Sequence, residues 1–432
     1  MPWIARTIYS LLWWLVLPLA LVRLWWRGRR EPGYRRHLGE RLGCYRSPTF
    51  SKAPLLWVHA VSVGETRAAQ PLINALLEKY PQHRVLITGM TATGRATAHA
   101  LFAHYGERFL QSYLPYDIHF FIKRFLRFYQ PAVCVLIETE VWPNLVAQCT
   151  SHGIPVALVN ARLSARSLAR GQRLGSLIGS LITGAAQRLT CIAAQTSADA
   201  GRLQQMGGVA ITVTGNLKFD VIPPASQLEQ GQRWRAQFGE RPVVLCASTR
   251  DGEEAAILAA AKLLAHSVLL IIVPRHPQRV QAVAELIASH GLSMVRRSQL
   301  NDDSLPPSTR VVLGDSMGEM VAYYAACDLT FVGGSLFPLG GQNLIEACAV
   351  GVPVLVGPYT FNFSVATEAA IAAGAAQRVD NAAALIAAIE ALINDDAKRT
   401  SMRDAAQAFA LQHRGATART VALLAPLINQ RL

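Results

Sequence analysis

Acidic side chains are scarce in this sequence: 28 Asp and Glu stand against 42 Lys and Arg in 432 residues, a formal net charge of +14. Its seven cysteines form no CxxC or other metal spacing. Cys134, Cys191, Cys246, Cys327 and Cys348 sit among apolar residues, as buried thiols do in a reducing compartment. The absence of GxxxxGK[ST] excludes a P-loop kinase or ATPase. The absence of GxSxG, HExxH and zinc-type Cys/His groupings disfavours the common hydrolase types. No DxD occurs, so a carboxylate-held divalent metal on a diphosphate is not indicated, and neither metal nor cofactor is expected. What is present suits a folded protein: 51% apolar residues, ordinary glycine and proline, and length enough for two domains.

The positive charge is uneven. Residues 1–41 hold eight arginines (Arg6, Arg23, Arg27, Arg29, Arg30, Arg35, Arg36, Arg41) against Glu31 and Glu40. They border an uncharged segment from Thr7 to Val22, which extends through Arg23 to Trp26 to reach 20 residues, close to the ~20 a helix needs to cross a bilayer core. Trp13-Trp14 and Trp25-Trp26 resemble interfacial aromatics, and the arginines that follow assign that side to the cytoplasm. With an apolar neighbour, the basic charge points to anionic lipid headgroups instead of nucleic acid. A cleaved signal is disfavoured, because the charge follows the apolar core and no small-x-small site comes after it. Residues 1–30 are therefore expected to anchor the chain to a membrane, as a single span or as a surface helix.

Downstream, short apolar runs alternate with helical patterns, as in doubly wound parallel sheets. Leu55–Val63, Arg84–Thr88, Ala132–Ile137, Ile154–Val159, Ile192–Gln195 and Ile211–Thr214 read as strands of a first domain, residues 31–220. After a linker at Ile222-Pro-Pro-Ala-Ser, the runs Val243–Ala247, Val268–Val273, Val311–Leu313, Leu329–Val332 and Val352–Val356 repeat the plan over residues 221–432. The last helix is a candidate to pack back on the first domain. Ligands of open α/β sheets collect at the carboxyl ends of strands. Glu65, after the first strand, is either a helix-start carboxylate worth up to ~1 kcal/mol or a general base worth ~10²–10⁴ in rate. Glu138 ends a strand too apolar to need a carboxylate, and one of Glu138 and Glu140 could instead partner Arg162 or Arg166. Lys218, near the domain junction, is a candidate to neutralise a phosphate or carboxylate.

The stretch Phe331–Asn362 reads as a βαβ unit: a strand, the pairs Gly333-Gly334 and Gly340-Gly341, a helix over about Gln342–Val350 and a second strand. The glycines bring backbone N–H groups close to a ligand. A helix start attracts phosphate oxygens, and Glu346 one turn in suits ribose hydroxyls. A plain tight turn would also use such glycines, but two pairs followed by Asn343 and Glu346 favour a nucleotide site. Ser248, Arg275, His276, Gly318 and Glu319 fall at neighbouring strand ends, with Arg275 as the fork donor to a phosphate. Two Rossmann-like halves with a nucleotide on the second match the two-domain glycosyltransferase plan.

Several longer motifs make the resemblance specific: SVGE at Ser62–Glu65, LPYD at Leu114–Asp117, ETEVWPN at Glu138–Asn144, NARLSARS at Asn160–Ser167, GNLKFD at Gly215–Asp220, PRHPQR at Pro274–Arg279, GDSMGEM at Gly314–Met320 and GGQNLIEA at Gly340–Ala347. Together they closely resemble the 3-deoxy-D-manno-octulosonic acid (Kdo) transferases of Gram-negative lipopolysaccharide synthesis, glycosyltransferase family 30. The resemblance implies a GT-B fold, two Rossmann-like domains facing an inter-domain cleft, with a membrane-associated helix at the start. It implies an inverting, metal-independent transfer of Kdo from CMP-Kdo to a lipid A precursor (lipid IVA) at the cytoplasmic face of the inner membrane. It places the catalytic base at Glu65, transition-state stabilisers at Glu138 and Lys218, and CMP contacts at Pro274, Arg275, Met317, Gly318, Glu319, Asn343, Leu344, Ile345 and Glu346, to which the reading of the strand ends adds Ser248. Gln342 departs from relatives that carry His there. The alternatives are a UDP-sugar transferase or epimerase of the same plan, and a non-catalytic membrane-attached nucleotide-sugar sensor.

Overall fold

A computed structural model describes residues 2–29, 31–45, 53–173, 175–265, 267–300 and 304–429; Arg30 of the basic cluster lies outside the described residues. The chain divides into two units, Met1–Val221 with Arg414–Leu432, and Ile222–His413.

The first unit is built on a seven-stranded sheet: β1 (Leu55–His59), β2 (Arg84–Gly89), β3 (Phe109–Tyr113), β4 (Val133–Ile137), β5 (Val156–Ala161), β6 (Cys191–Ala194) and β7 (Ile211–Val213). Their order is β3-β2-β1-β4-β5-β6-β7, and every pairing is parallel. Side chains alternate across a strand, so β1 feeds two cores. Leu56 and Val58 pack with Leu72, Ile73 and Val135 on one face; Leu55 and Trp57 pack with Phe125, Leu136 and Leu158 on the other. Both faces being covered, the strand centres are mostly apolar, and buried polar residues such as His59, Thr88 and Asn160 fall near the carboxyl ends. The first strand stops at His59, four residues before the expected Val63, because Ser62 caps the helix Val63–Lys79. Capping chemistry overrides the apolar run there. The strand β3 was not expected; its first three residues are only partly buried and carry no alternating signal.

Helix Pro2–Arg27 belongs to this unit, and its segment Ile4–Arg27 is long and apolar enough to cross a membrane. The closing helix Ala416–Asn429 contributes Ala416, Val421, Leu424 and Ile428 to the core beside Leu72 and Ile73. Asp220 fixes its start, accepting from Gly415 N–H (2.7 Å) and Thr417 N–H (2.5 Å).

The second unit carries its own seven strands: β8 (Val243–Thr249), β9 (Leu269–Pro274), β10 (Met294–Arg296), β11 (Val311–Leu313), β12 (Leu329–Val332), β13 (Val354–Val356) and β14 (Ala376–Arg378). The order is β10-β11-β9-β8-β12-β13-β14, again all parallel. The edge strands β10 and β14 escaped notice because three residues of mixed polarity, as edges require, leave little pattern. In this sheet the strand order reverses direction between β8 and β12, and a crevice outside the carboxyl ends at such a switch point is where α/β sheets take ligands.

Candidate active site

At the carboxyl end of β1, Ser62 and Glu65 close a capping box. Glu65 N–H donates to Ser62 Oγ (3.4 Å), while Val61 N–H (2.5 Å) and Ser62 N–H (3.4 Å) donate to Glu65 Oε2. Oε1 accepts no hydrogen bond among the described residues. The half-buried carboxyl has its pKa pushed up to about 7, chiefly by burial and then by the charge of Glu140, against the pull of the Val61 and Ser62 N–H groups. One carboxyl of raised pKa thus caps the helix through Oε2 while its Oε1 has no hydrogen-bond donor among the described residues.

Glu138 follows β4 in a left-handed conformation (φ +59°), uncommon for a residue with a side chain. Its buried carboxylate accepts from Lys218 Nζ at 2.8 Å on Oε1 and from Arg162 Nε at 2.9 Å on Oε2. Burial alone would raise its pKa, but Lys218 and then Arg162 outweigh burial and hold it below the ordinary carboxylate range. Of the options left open by the sequence, Arg162 pairs with Glu138. Glu140 accepts from Trp142 Nε1–H at 2.8 Å and is raised by burial. Neighbouring carboxyls pushed in opposite directions are the arrangement that separates an acid–base group from a permanently charged one.

Lys218 is held by a single tight turn, Leu217–Asp220. Asn216 caps it, and Asn160 Oδ1, at the end of β5, accepts from Leu217 N–H at 3.0 Å. Asn160 is fully buried with φ +53°. Only tertiary structure reveals this tie, because residues 160 and 217 are remote in sequence.

In the second unit, Ser248 (φ +55°) lies at a register shift near the end of β8, and Pro274 ends β9. Arg275 is exposed and its Nε donates to Gln342 Oε1 at 3.2 Å, which gives Gln342 a loop-tying contact. Burial, then the charges of Arg250, Arg275 and Arg279, hold the His276 imidazole below its ordinary pKa, so three guanidinium groups gather around it. Arg279 is bound to Glu254 (3.0 Å) and to Asp251. After β11, Met317 is exposed and Gly318 has φ +84°. Glu319 accepts from Arg297 Nη2 (2.6 Å), Gln230 Nε2 (3.0 Å) and Ser316 Oγ.

The glycine loop after β12 corrects one expectation. Its N–H groups are largely occupied by the protein itself: Gly333 N–H donates to Ala247 O (2.8 Å) and Gly341 N–H to Gly334 O (2.6 Å). Glu253, fully buried, accepts from three further N–H groups of this loop and from Arg250 N–H. Its Oε2 accepts from Arg250 N–H (2.8 Å) and Gly334 N–H (2.6 Å), and its Oε1 from Ser335 and Leu336 N–H (both 2.9 Å). Gly333 is demanded by packing, since a Cβ there would lie 2.7 Å from Thr249 Cα. The sequence reading missed Glu253; its signal was an adjacent pair of glutamates opening an alanine-rich helix. A second correction concerns the following helix, which covers Ile345–Val350 and starts three residues later than expected. Asn343 precedes it, with Nδ2 donating to Glu346 Oε1 (3.1 Å) and Oδ1 accepting from Ile345 N–H (3.2 Å). Glu346 therefore sits in the first turn. Leu344 and Ile345 bury their side chains, leaving only main-chain groups to face a ligand.

Two units, each a parallel seven-stranded α/β sheet covered by helices, define the GT-B class of glycosyltransferases, and residues 252–409 match the family model for glycosyl transferases group 1. Residues 36–221 match the model for 3-deoxy-D-manno-octulosonic-acid transferase (kdotransferase). The chain is 45% identical to the 3-deoxy-D-manno-octulosonic acid transferase of Bordetella pertussis over 428 residues, 96% of this chain and 98% of that one. It is 36% identical to the Haemophilus influenzae enzyme of the same name over 435 residues, 99% of this chain and all of that one. It belongs to the Kdo transferase family, glycosyltransferases of lipopolysaccharide synthesis. UDP-GlcNAc 2-epimerase from Neisseria meningitidis, 17% identical, covers 86% of this chain and 100% of its own with a TM-score of 0.58, a likeness of fold alone.

Proposed function

We propose that the enzyme transfers Kdo from CMP-Kdo to a lipid A precursor, lipid IVA, with inversion at the anomeric carbon and without a metal, at the cytoplasmic face of the inner membrane. The acceptor is taken by the first unit and CMP by the second. The observation that carries the catalytic reading is Glu65: a carboxyl with pKa raised to about 7 and one oxygen that accepts no hydrogen bond among the described residues, beside the carboxyl end of β1. A general base works best with a pKa near the working pH. Its Oε1 removes the proton from the acceptor hydroxyl as that oxygen forms its bond to the anomeric carbon. The bond from that carbon to the phosphate oxygen breaks, and CMP leaves with the electron pair.

Glu138, kept ionised by Lys218 and Arg162, stabilises positive charge developing on the sugar ring, and Lys218 offsets negative charge on the donor. Arg275 contacts the phosphate, with Ser248, Pro274, Met317, Gly318, Glu319 and the Asn343–Glu346 segment around the nucleotide. A nucleoside monophosphate carries less charge than a diphosphate, so protein cations suffice in place of a metal.

Purified protein with CMP-Kdo is expected to release CMP only when lipid IVA is added, to increase the acceptor's mass by whole Kdo residues, and to keep its rate in chelator. CMP release without acceptor, or activity restored only by magnesium, refutes this reading.

A further inference from the structure

The N-terminal helix is apolar and long, which by composition suits either a span or a surface helix; its packing distinguishes the two. Buried or half-buried positions recur along it at Ala5, Tyr9, Trp13, Leu17 and Leu24, with Gly28 buried just past its end, one stripe at helical spacing. From Ala5 to Leu24 that stripe is about 29 Å long at 1.5 Å per residue, nearly the whole ~30 Å of a bilayer core. The first unit touches it from end to end. Ser10 Oγ accepts from Asn144 Nδ2 at 2.9 Å, and Asn144 N–H donates to the buried Asp117 carboxylate at 3.0 Å. Trp13 packs on Tyr116 and Trp14 on Phe121, at centroid distances of 5.5 and 5.4 Å. Leu17 is buried among Tyr116, Ile118 and Phe121. Near the other end, Arg35 Nε donates to Trp25 O at 3.1 Å, and Arg27 lies over the Tyr34 ring. A helix so docked could cross a bilayer only by taking Asp117, Asn144 and their loops into hydrocarbon, where charge and unpaired backbone are not tolerated.

The opposite face is open and apolar: Ile8, Leu11, Leu12, Leu15, Leu19 and Val22, with Leu15 73% and Leu19 70% exposed. Basic groups border it. Arg23, Arg27 and Arg29 are exposed at one end, and the neighbouring helix His119–Tyr129 presents Lys123, Arg124 and Arg127 beside an exposed Phe120. An apolar stripe rimmed by cations complements an anionic leaflet.

We infer that the N-terminal helix lies in the plane of one anionic leaflet, outer face immersed, and does not cross the membrane. It runs past Met90, Tyr116 and Asn144, which follow β2, β3 and β4. This is the end of the sheet that also carries Glu65 and Glu138, so the helix sets that end against the leaflet surface. The placement of an acceptor headgroup there rests on the proposed transfer to a membrane lipid; the orientation of the helix does not.

The test uses the full chain with Cys44, the exposed cysteine, changed to Ser, and spin labels at Ile8→Cys, Leu15→Cys or Val22→Cys. Each variant is reconstituted in vesicles of phosphatidylcholine with about one third phosphatidylglycerol. In-plane immersion gives three equal, shallow depths. A change of about 20 Å from position 8 to position 22, the rise of a perpendicular helix, overturns it, as does shielding of the labels by a second protein copy. In the Cys44-containing protein, a cleavable tag placed before Met1 should be cut from outside in the same molecules whose Cys44 takes an impermeant maleimide; protection of that tag points to a span and overturns the inference. Lys123→Ala/Arg124→Ala/Arg127→Ala should weaken binding at least 10-fold on anionic vesicles and little on phosphatidylcholine alone; an equal loss on both overturns the anionic leaflet. Transfer measured on the same samples separates the two readings, since equal depths with no transfer count only against the proposed function.

Discussion

Replacing Glu65 with Gln should remove activity and, at alkaline pH, make the protein more stable. The isosteric amide keeps an oxygen for the Val61 and Ser62 N–H groups, and Gln serves the third helix position of a capping box as well as Glu. What it removes is a charge that burial disfavours. The folded pKa is raised from the ordinary 4.5 to about 7. At about 1.4 kcal/mol per pH unit, ionising Glu65 in the folded state costs about 3 kcal/mol. The sign follows from proton uptake: between pH 4.5 and 7 the folded chain holds the Glu65 proton more tightly than the unfolded one, so this contribution is full below 4.5 and is lost as pH rises through 7. The Gln variant has no such loss. Its melting temperature, compared with wild type in detergent, should be close at pH 5 and higher by several degrees at pH 8, since about 1 kcal/mol moves a domain of 150–250 residues by ~2–4 °C. Transfer should fall by ~10²–10⁴, with the wild-type rate falling below pH 7 as the base protonates. Equal melting at pH 8, or a variant that retains its rate, refutes the account of Glu65 as a desolvated base.

Lys218→Ala leaves the buried Glu138 with Arg162 as its remaining cation; a rate loss of ~10²–10³ and a lower melting temperature are expected, against unchanged kinetics if the ion pair were only structural. Glu253→Ala strips the acceptor from three buried N–H groups, each costing about 1–3 kcal/mol if left unmet, and from the part-buried Arg250 N–H, so the second unit should become sensitive to limited proteolysis at 25 °C, with wild-type resistance as the contrary result. Arg275→Ala should raise KM for CMP-Kdo by ~10–100-fold, the equivalent of one charge-assisted hydrogen bond, while melting stays at the wild-type value because the side chain is exposed; an unaltered KM removes Arg275 from the phosphate.

The chain's order of apolar runs and turns determined the two α/β units, because a strand buried on both faces must be apolar over most of its length, as β4 is throughout and β1 and β8 are up to Val58 and Ala247. It also determined that Glu138 follows β4 and that Glu65 follows β1, although Glu65 falls in the first turn of the helix Val63–Lys79. Tertiary structure alone decided what those residues meet. The opposite pKa shifts of Glu65 and Glu138 arise from burial and from cations brought in by β5 and the Leu217–Asp220 turn, contacts that span up to 80 positions of sequence. The occupation of the glycine loop by Glu253 and the docking of the N-terminal helix along the first unit are of the same kind. Periodicity reports which face of an element is apolar; it carries no record of the partner that covers that face, or of the charge beside it, until the chain has folded.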